Sequence, residues 1–295
     1  RLRDSRATIL IQGETGTGKE LLARAAHTVS TRSGLPLVTV NCAALSRDVL
    51  ESELFGHVKG AFTDAKTDKV GLFEEADGSA IFLDEIDKTS TAFQERLLRV
   101  VDQGEIKPVG SSGAKQVDVR ILCATNRPLK QLVEEGLFLK DLYYRLRVIS
   151  IDLPPLRDRK EDVPLLVDHF HQEFARSLDR ESRGFSHEAM NTMVAHSWPG
   201  NVRDLRHEVE RAVAMSREGS RIEAKDLSPE LQEAVPTKPG LRPNQSLQDY
   251  VEEIERELVT RALRKTEGNR SRAAKLLGIS RRGLLNKIGR YAIDA

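Results

Sequence analysis

Apolar residues gather in five short runs in the first half of the chain: Ile9–Ile11, Leu37–Val40, Ala80–Leu83, Val119–Ala124 and Val148–Leu153. Runs this short and this apolar predict buried strands. Between them the polar and apolar positions follow a helical period, as in Glu20–His27 after the first run. Alternation of the two patterns predicts an α/β fold, a parallel sheet with helices on both faces. From Asp158 to about Glu233 no strand-like run occurs, which predicts a small all-helical lid. Ala234–Pro243 then holds three prolines and a glycine and reads as an extended linker. Leu247–Leu263 reads as an acidic amphipathic helix, and a basic block follows it. The predicted organisation is thus 1–157, 158–233, a linker over 234–246, and 247–295.

Composition adds little to that picture until it is resolved along the chain. The 295 residues are 39% hydrophobic and 31% charged, with a net charge of +1. That balance suits a chain of two or three domains and by itself points to no nucleic acid. The last block differs. Between Arg264 and Tyr291 nine Lys and Arg residues face a single acid, Glu267, a local net charge of +8. Cys42 and Cys123 lie in strand-like runs and lack metal-ligand spacing, so both are expected to be buried reduced thiols. No apolar stretch approaches the ~20 residues that span a bilayer. The first strand begins abruptly, so the chain is expected to lack an N-terminal part, with a regulatory domain such as that of a two-component response regulator.

Candidate chemistry starts at Gly13-Glu14-Thr15-Gly16-Thr17-Gly18-Lys19-Glu20, between the first strand and the first helix. Glycines let backbone N–H groups turn inward around phosphate oxygens, and Lys19 adds a point charge. The general pattern ends Gly-Lys-Ser/Thr, whereas Glu20 follows Lys19 here. Alone, the segment is also compatible with a plain strand–turn–helix corner. A second buried strand ends in Asp84-Glu85, about 65 residues on. Asp84 there would orient magnesium and Glu85 would polarise the attacking water. In this order the two motifs predict a P-loop ATPase. At the basic end, Asn269 and Ser280 are placed to cap two helices and Gly278 to turn between them. Ala273, Ala274, Leu277, Ile279, Leu284 and Ile288 would make the small core. Arg281, Arg282, Asn286 and Lys287 would face double-stranded DNA, with Arg270, Arg272 and Ser280 beside them.

Further motifs extend the pattern. Glu53-Leu54-Phe55-Gly56-His57 precedes Gly60-Ala61-Phe62-Thr63-Asp64-Ala65. Ala124-Thr125-Asn126-Arg127, Asp141–Leu146, Leu153-Pro154-Pro155-Leu156-Arg157 and Trp198–Leu205 follow. Over essentially its whole length the chain resembles the AAA+ activators of sigma-54 RNA polymerase, with a Fis-type helix-turn-helix at the end. The resemblance implies an AAA+ sheet domain, a helical lid, ATP and Mg²⁺ as cofactors, DNA-bound dimers, a hexameric ring and a bacterial cytoplasmic setting. It implies that Gly13–Glu20 holds the nucleotide and that Asn41 senses the state of Glu85. Thr125 and Asn126 would form the first sensor, Arg203 the second, and Arg145 a finger into the neighbouring subunit. Gly60, Ala61, Phe62, Thr63, Asp64 and Ala65 would contact sigma-54.

Two positions depart from the family pattern. Leu139 stands where an arginine is frequent, and Lys140 cannot copy a guanidinium fork. Asp64 replaces the second glycine of the sigma-54 loop. Both leave open an alternative, a DNA-binding regulator with a weak ATPase domain that does not act on sigma-54. A different AAA+ machine, such as a clamp-loading or branch-migration motor, would lack the Gly-Ala-Phe-Thr segment.

Overall fold

The computed structural model describes residues 7–63, 65–234, 246–266 and 268–291. Asp64 and most of the predicted linker, 235–245, lie outside the described residues. In chain order the elements are β1 (Ile9–Gln12), α1 (Lys19–Thr28), β2 (Leu37–Asn41), α2 (Arg47–Phe55), α3 (Leu72–Glu75) and β3 (Ala80–Asp84). Then come α4 (Thr91–Gln103), a two-residue hairpin β4 (Glu105–Ile106) and β5 (Lys115–Gln116), β6 (Arg120–Thr125), α5 (Leu129–Glu134), α6 (Lys140–Leu146) and β7 (Ile149–Asp152). The lid holds α7 (Asp162–Ser177), α8 (His187–Ala195), α9 (Asn201–Met215) and α10 (Pro229–Ala234). The last three are α11 (Leu247–Lys265), α12 (Arg270–Leu276) and α13 (Arg281–Arg290).

The five apolar runs form one parallel sheet in the order β2-β3-β6-β1-β7. Side chains alternate across it. Leu10, Ile81, Leu83, Ile121 and Cys123 join a core with α2, α4, α5 and α6 on one face. Ile9, Ile11, Ala80, Phe82, Leu122 and Ala124 pack with Ala23 and Ala26 of α1 on the other. Burial on both faces explains why the strands read as continuous apolar runs. It also gathers chemistry at one edge. Gln12 pairs with Thr125, and Asn41 with Asp84, so the C-terminal ends of β1, β2, β3 and β6 meet. Ligands of open α/β sheets bind beyond that edge.

The hairpin β4–β5 carries little apolar signature: Ile106 of β4 is buried in the core, while Lys115 and Gln116 of β5 are exposed. The lid has its own core around Trp198, Phe170, Phe174, Leu205 and Val209. Within it Trp198 Nε1 donates to the Met193 carbonyl over 2.8 Å. The chain divides into two compact units, one through Gln232 and one from Glu233. In the second, Val259, Ala262 and Leu263 of α11 enclose Ala273, Ala274 and Leu284, with Leu277, Ile279 and Ile288 around them. Both predicted caps form there: Asn269 accepts from Arg272 N and Ser280 from Gly283 N.

Candidate nucleotide site and interaction surfaces

Beyond β1 the loop turns on glycines. Gly16 and Gly18 hold φ of 79° and 101°, the left-handed region that side chains resist. Gly18 then opens α1, so the positive end of that helix faces the loop. Lys19 is buried, and its Nζ donates to the carbonyls of Gly13 (2.8 Å) and Glu14 (2.9 Å) and to Asn126 Oδ1 (2.5 Å). Burial lowers its pKa, while the charges of Asp84, Glu85 and Asp87 oppose that shift. Thr17 is also buried, and its hydroxyl donates to the Glu14 carbonyl. Thr15 is exposed. Glu20 is exposed and pairs with Arg24 one turn on, and its charge still reaches Asp84.

The carboxylates sit at the end of β3. Asp84 Oδ1 accepts from Glu85 N at 2.9 Å, and burial raises the Asp84 pKa above the usual carboxylate value. Glu85 has φ of 55°, strained for a residue with a side chain. Its Oε1 accepts from Asn126 Nδ2 at 3.0 Å. Asn126 therefore joins Lys19 to Glu85, one amide group holding both. Thr125 is fully buried with its hydroxyl 2.9 Å from Asp87 Oδ1, and it accepts from Arg127 N.

Other predicted site residues are placed differently. Asn41 stands beside Asp84 in the sheet, but its Oδ1 accepts from the N–H groups of Ala43 and Ala44, a local turn. The partner of Glu85 is Asn126 rather than Asn41. Arg203 lies over the loop: a Cβ on Gly16 would come 3.1 Å from Arg203 Cβ and 2.1 Å from the Gly200 carbonyl. Arg145 lies on α6 and pairs with Asp102 at 2.5 Å, with its side chain 62% exposed. Lys140 and Leu139 open the same helix, and Leu139 packs against the core.

Sequence reasoning missed Asp87, Arg157 and Asn201. Asp87 is fully enclosed and lies near Lys19. Arg157 grips Glu14 with two nitrogens, at 2.8 and 2.6 Å, and with Asn201 brings the Glu14 pKa down to about 2. The Pro-Leu-Arg and Gly-Asn motifs carrying two of them were visible, but not their partners.

Gly60–Thr63 and Ala65 lie on a hairpin whose base is the paired backbone of His57 and Lys69. Gly60 N donates to the Ala65 carbonyl and Ala65 N to the Phe62 carbonyl. Phe62 is 44% exposed, with its ring edge-on to His57 at 5.0 Å, and Thr63 is exposed beside it. Gly110, between β4 and β5, lies against Ala61, where a Cβ would approach to 2.7 Å. The second hairpin therefore supports the first.

In the C-terminal unit Arg270, Arg272, Ser280, Arg281, Arg282 and Asn286 are exposed. Lys287, predicted to face DNA, instead pairs with Glu255 of α11, which also accepts from Tyr291 Oη. These contacts, Lys287 first, hold the Glu255 pKa below its ordinary value. Among the described residues no helix is long and apolar enough to cross a membrane.

The family model described as the Sigma-54 interaction domain matches residues 1–152. The AAA+ ATPase lid domain matches 157–243, and the Fis family of bacterial regulatory proteins matches 250–291. Transcriptional regulatory protein ZraR of Escherichia coli (strain K12) is 49% identical over 287 residues, 97% of this chain and 64% of that protein. Regulatory protein AtoC of the same organism is 45% identical over 294 residues, 98% of this chain and 64% of its own length. The crystal structure of NtrX from Brucella abortus in complex with ATP aligns with a TM-score of 0.75 at 34% identity, over 98% of this chain and 65% of that one. The chain thus spans about two thirds of the relatives it matches.

Proposed function

Because this chain belongs to the Sigma-54 interaction family of AAA+ proteins, we propose that it hydrolyses ATP to activate transcription by sigma-54 RNA polymerase from an upstream DNA site. The observation that carries the reading is the Lys19–Asn126–Glu85 hydrogen-bonded chain across the strand ends. It links a phosphate-binding charge to a general base through one sensor. A degenerate site would have no use for a strained Glu85 held in this way.

The residues fit the roles. Loop N–H groups and Lys19 would take the phosphates, Lys19 giving up the Gly13 and Glu14 carbonyls to do so. Asp84 would hold Mg²⁺. Its raised pKa and the nearby charges of Glu85 and Glu20 mark a place where a cation relieves repulsion. Among the described residues no group of three ligating side chains forms a metal cage. Mg²⁺ binds through one or two carboxylates plus phosphate oxygens and water, which a strand-end carboxylate beside a phosphate loop would supply. Mg²⁺ would neutralise charge on the β- and γ-phosphates. Glu85 would orient the attacking water and accept its proton. Water oxygen then bonds to the γ-phosphorus as the bond to ADP breaks. Arg203 would sense the nucleotide from the lid. Arg145 would act on a neighbour's nucleotide in a ring, by resemblance a hexamer. Turnover would drive the Phe62–Thr63 tip against sigma-54.

The DNA reading has a separate test. A chain ending at Pro236 should retain ATPase activity and lose tight site binding, measured by fluorescence anisotropy with a labelled duplex. For the full chain, four exposed arginines in each copy of a dimer make affinity steeply salt-dependent. Roughly eight phosphate contacts predict a loss of about 10³–10⁵ between about 50 and 200 mM salt. Unchanged affinity after truncation would place the DNA site elsewhere.

A further inference from the structure

One buried side chain sits where loop and lid meet. Asn201 opens α9, is fully buried and holds φ of 57°. That left-handed conformation is sparsely populated for residues other than glycine, and Asn tolerates it best. Its Oδ1 accepts from Leu156 N at 2.8 Å, in the turn after β7. Its Nδ2 donates to the Thr15 carbonyl at 3.0 Å and to Glu14 Oε2 at 3.2 Å. One amide thus ties together the phosphate loop, the segment leading into the lid, and α9 of the lid core.

The surrounding contacts favour one geometry. Val202 N donates to the Gly16 carbonyl at 3.0 Å. Gly200 approaches Gly16 so closely that no side chain fits there. Both Glu14 oxygens are engaged, Oε1 by Arg157 and Oε2 by Arg157 and Asn201. Although Glu14 lies inside the phosphate-loop motif, its side chain serves the lid. Arg203 follows Asn201 by two residues on the same helix, so whatever sets Asn201 sets Arg203.

We propose that Asn201, anchored on the loop by Glu14, is the positioning residue that sets Arg203 over the phosphate-binding loop. Lid and loop then act on ATP as one body. The role rests on the reading of the loop as an ATP site. The exposed Glu14–Arg157 pair has little value as a stabilising ion pair. Its effect should therefore appear in turnover more than in thermal stability.

The test uses the full chain. Asn201→Gly keeps the backbone conformation and removes all three side-chain contacts. Equilibrium ATP binding should stay within about threefold of wild type while kcat falls about tenfold or more, as small misplacements near a reacting group do. In that background Arg203→Ala should add almost nothing, because Arg203 is already out of place. Glu14→Ala should show the same pattern with an unchanged melting temperature. Glu14→Gln, which retains an acceptor for Asn201, should recover most of the lost turnover. If Asn201→Gly fails to fold, the Glu14 pair of variants decides. Wild-type protein that neither binds nor hydrolyses ATP would sink the ATP reading itself. Active wild type, with both variants within about twofold of its kcat and Arg203→Ala keeping its full effect in each, would sink only the positioning role.

Discussion

Glu85→Gln should bind ATP as wild type does and hydrolyse it at least about 10²-fold more slowly, the usual value of a positioned general base. The amide keeps the size of the side chain and can still meet Asn126, but it cannot take a proton from water. Lys19→Ala should fail at the earlier step. Lys19 is the buried cation among Asp84, Glu85 and Asp87. Its loss leaves those charges facing the phosphates unopposed, and binding should disappear. Isothermal titration with ATP and a phosphate-release assay separate the two effects. Turnover by Glu85→Gln at the wild-type rate would remove Glu85 from the mechanism.

The second large effect is shared catalysis. Arg145 is exposed, and its observed partner is Asp102. An exposed pair contributes at most about 1 kcal/mol, so it yields readily to a stronger partner. A guanidinium reaching a transferring phosphoryl group contributes about 10³–10⁵ in rate. The difference favours Arg145 leaving Asp102 for a neighbour's nucleotide. Specific activity should therefore rise with protein concentration, and Arg145→Ala should lose most turnover. Mixing Arg145→Ala with Lys19→Ala protein should restore part of it, because some interfaces then join an intact loop to an intact finger. A concentration-independent rate without rescue would place catalysis inside one subunit.

Much of the fold was legible because a sheet buried on both faces leaves apolar runs that no loop would carry. Strand ends were legible for the same reason, which placed Asp84 and Glu85 at the end of a buried run, whereas Thr125 and Asn126 were marked only by the family resemblance. The hairpin β4–β5 was not, since strands of two residues with Ile106 as their one buried side chain are too short for a periodic signal. Choice of partner was the other loss. Glu85 could have met Asn41 or Asn126, both at neighbouring strand ends, and only the geometry shows that Asn126 holds it while Asn41 closes a turn. Asn201 was visible as the residue after a Pro-Gly pair. Its contact with Glu14 spans 187 positions, and nothing local encodes it. Lys287 was legible as basic, but not its pairing with Glu255 across the small core.

The proposed function has this chain act on sigma-54 through ATP turnover. Its most direct test is co-elution of the full chain with purified sigma-54 in the presence of a transition-state nucleotide analogue, comparing wild type, Thr63→Ala and Asp64→Gly. Phe62 and Thr63 stand exposed on the hairpin. Wild type should bind sigma-54 only with the analogue, Thr63→Ala should fail, and Asp64→Gly should change the strength of binding without creating it. Binding by Asp64→Gly alone, with none by wild type, would leave a DNA-binding regulator that does not engage sigma-54.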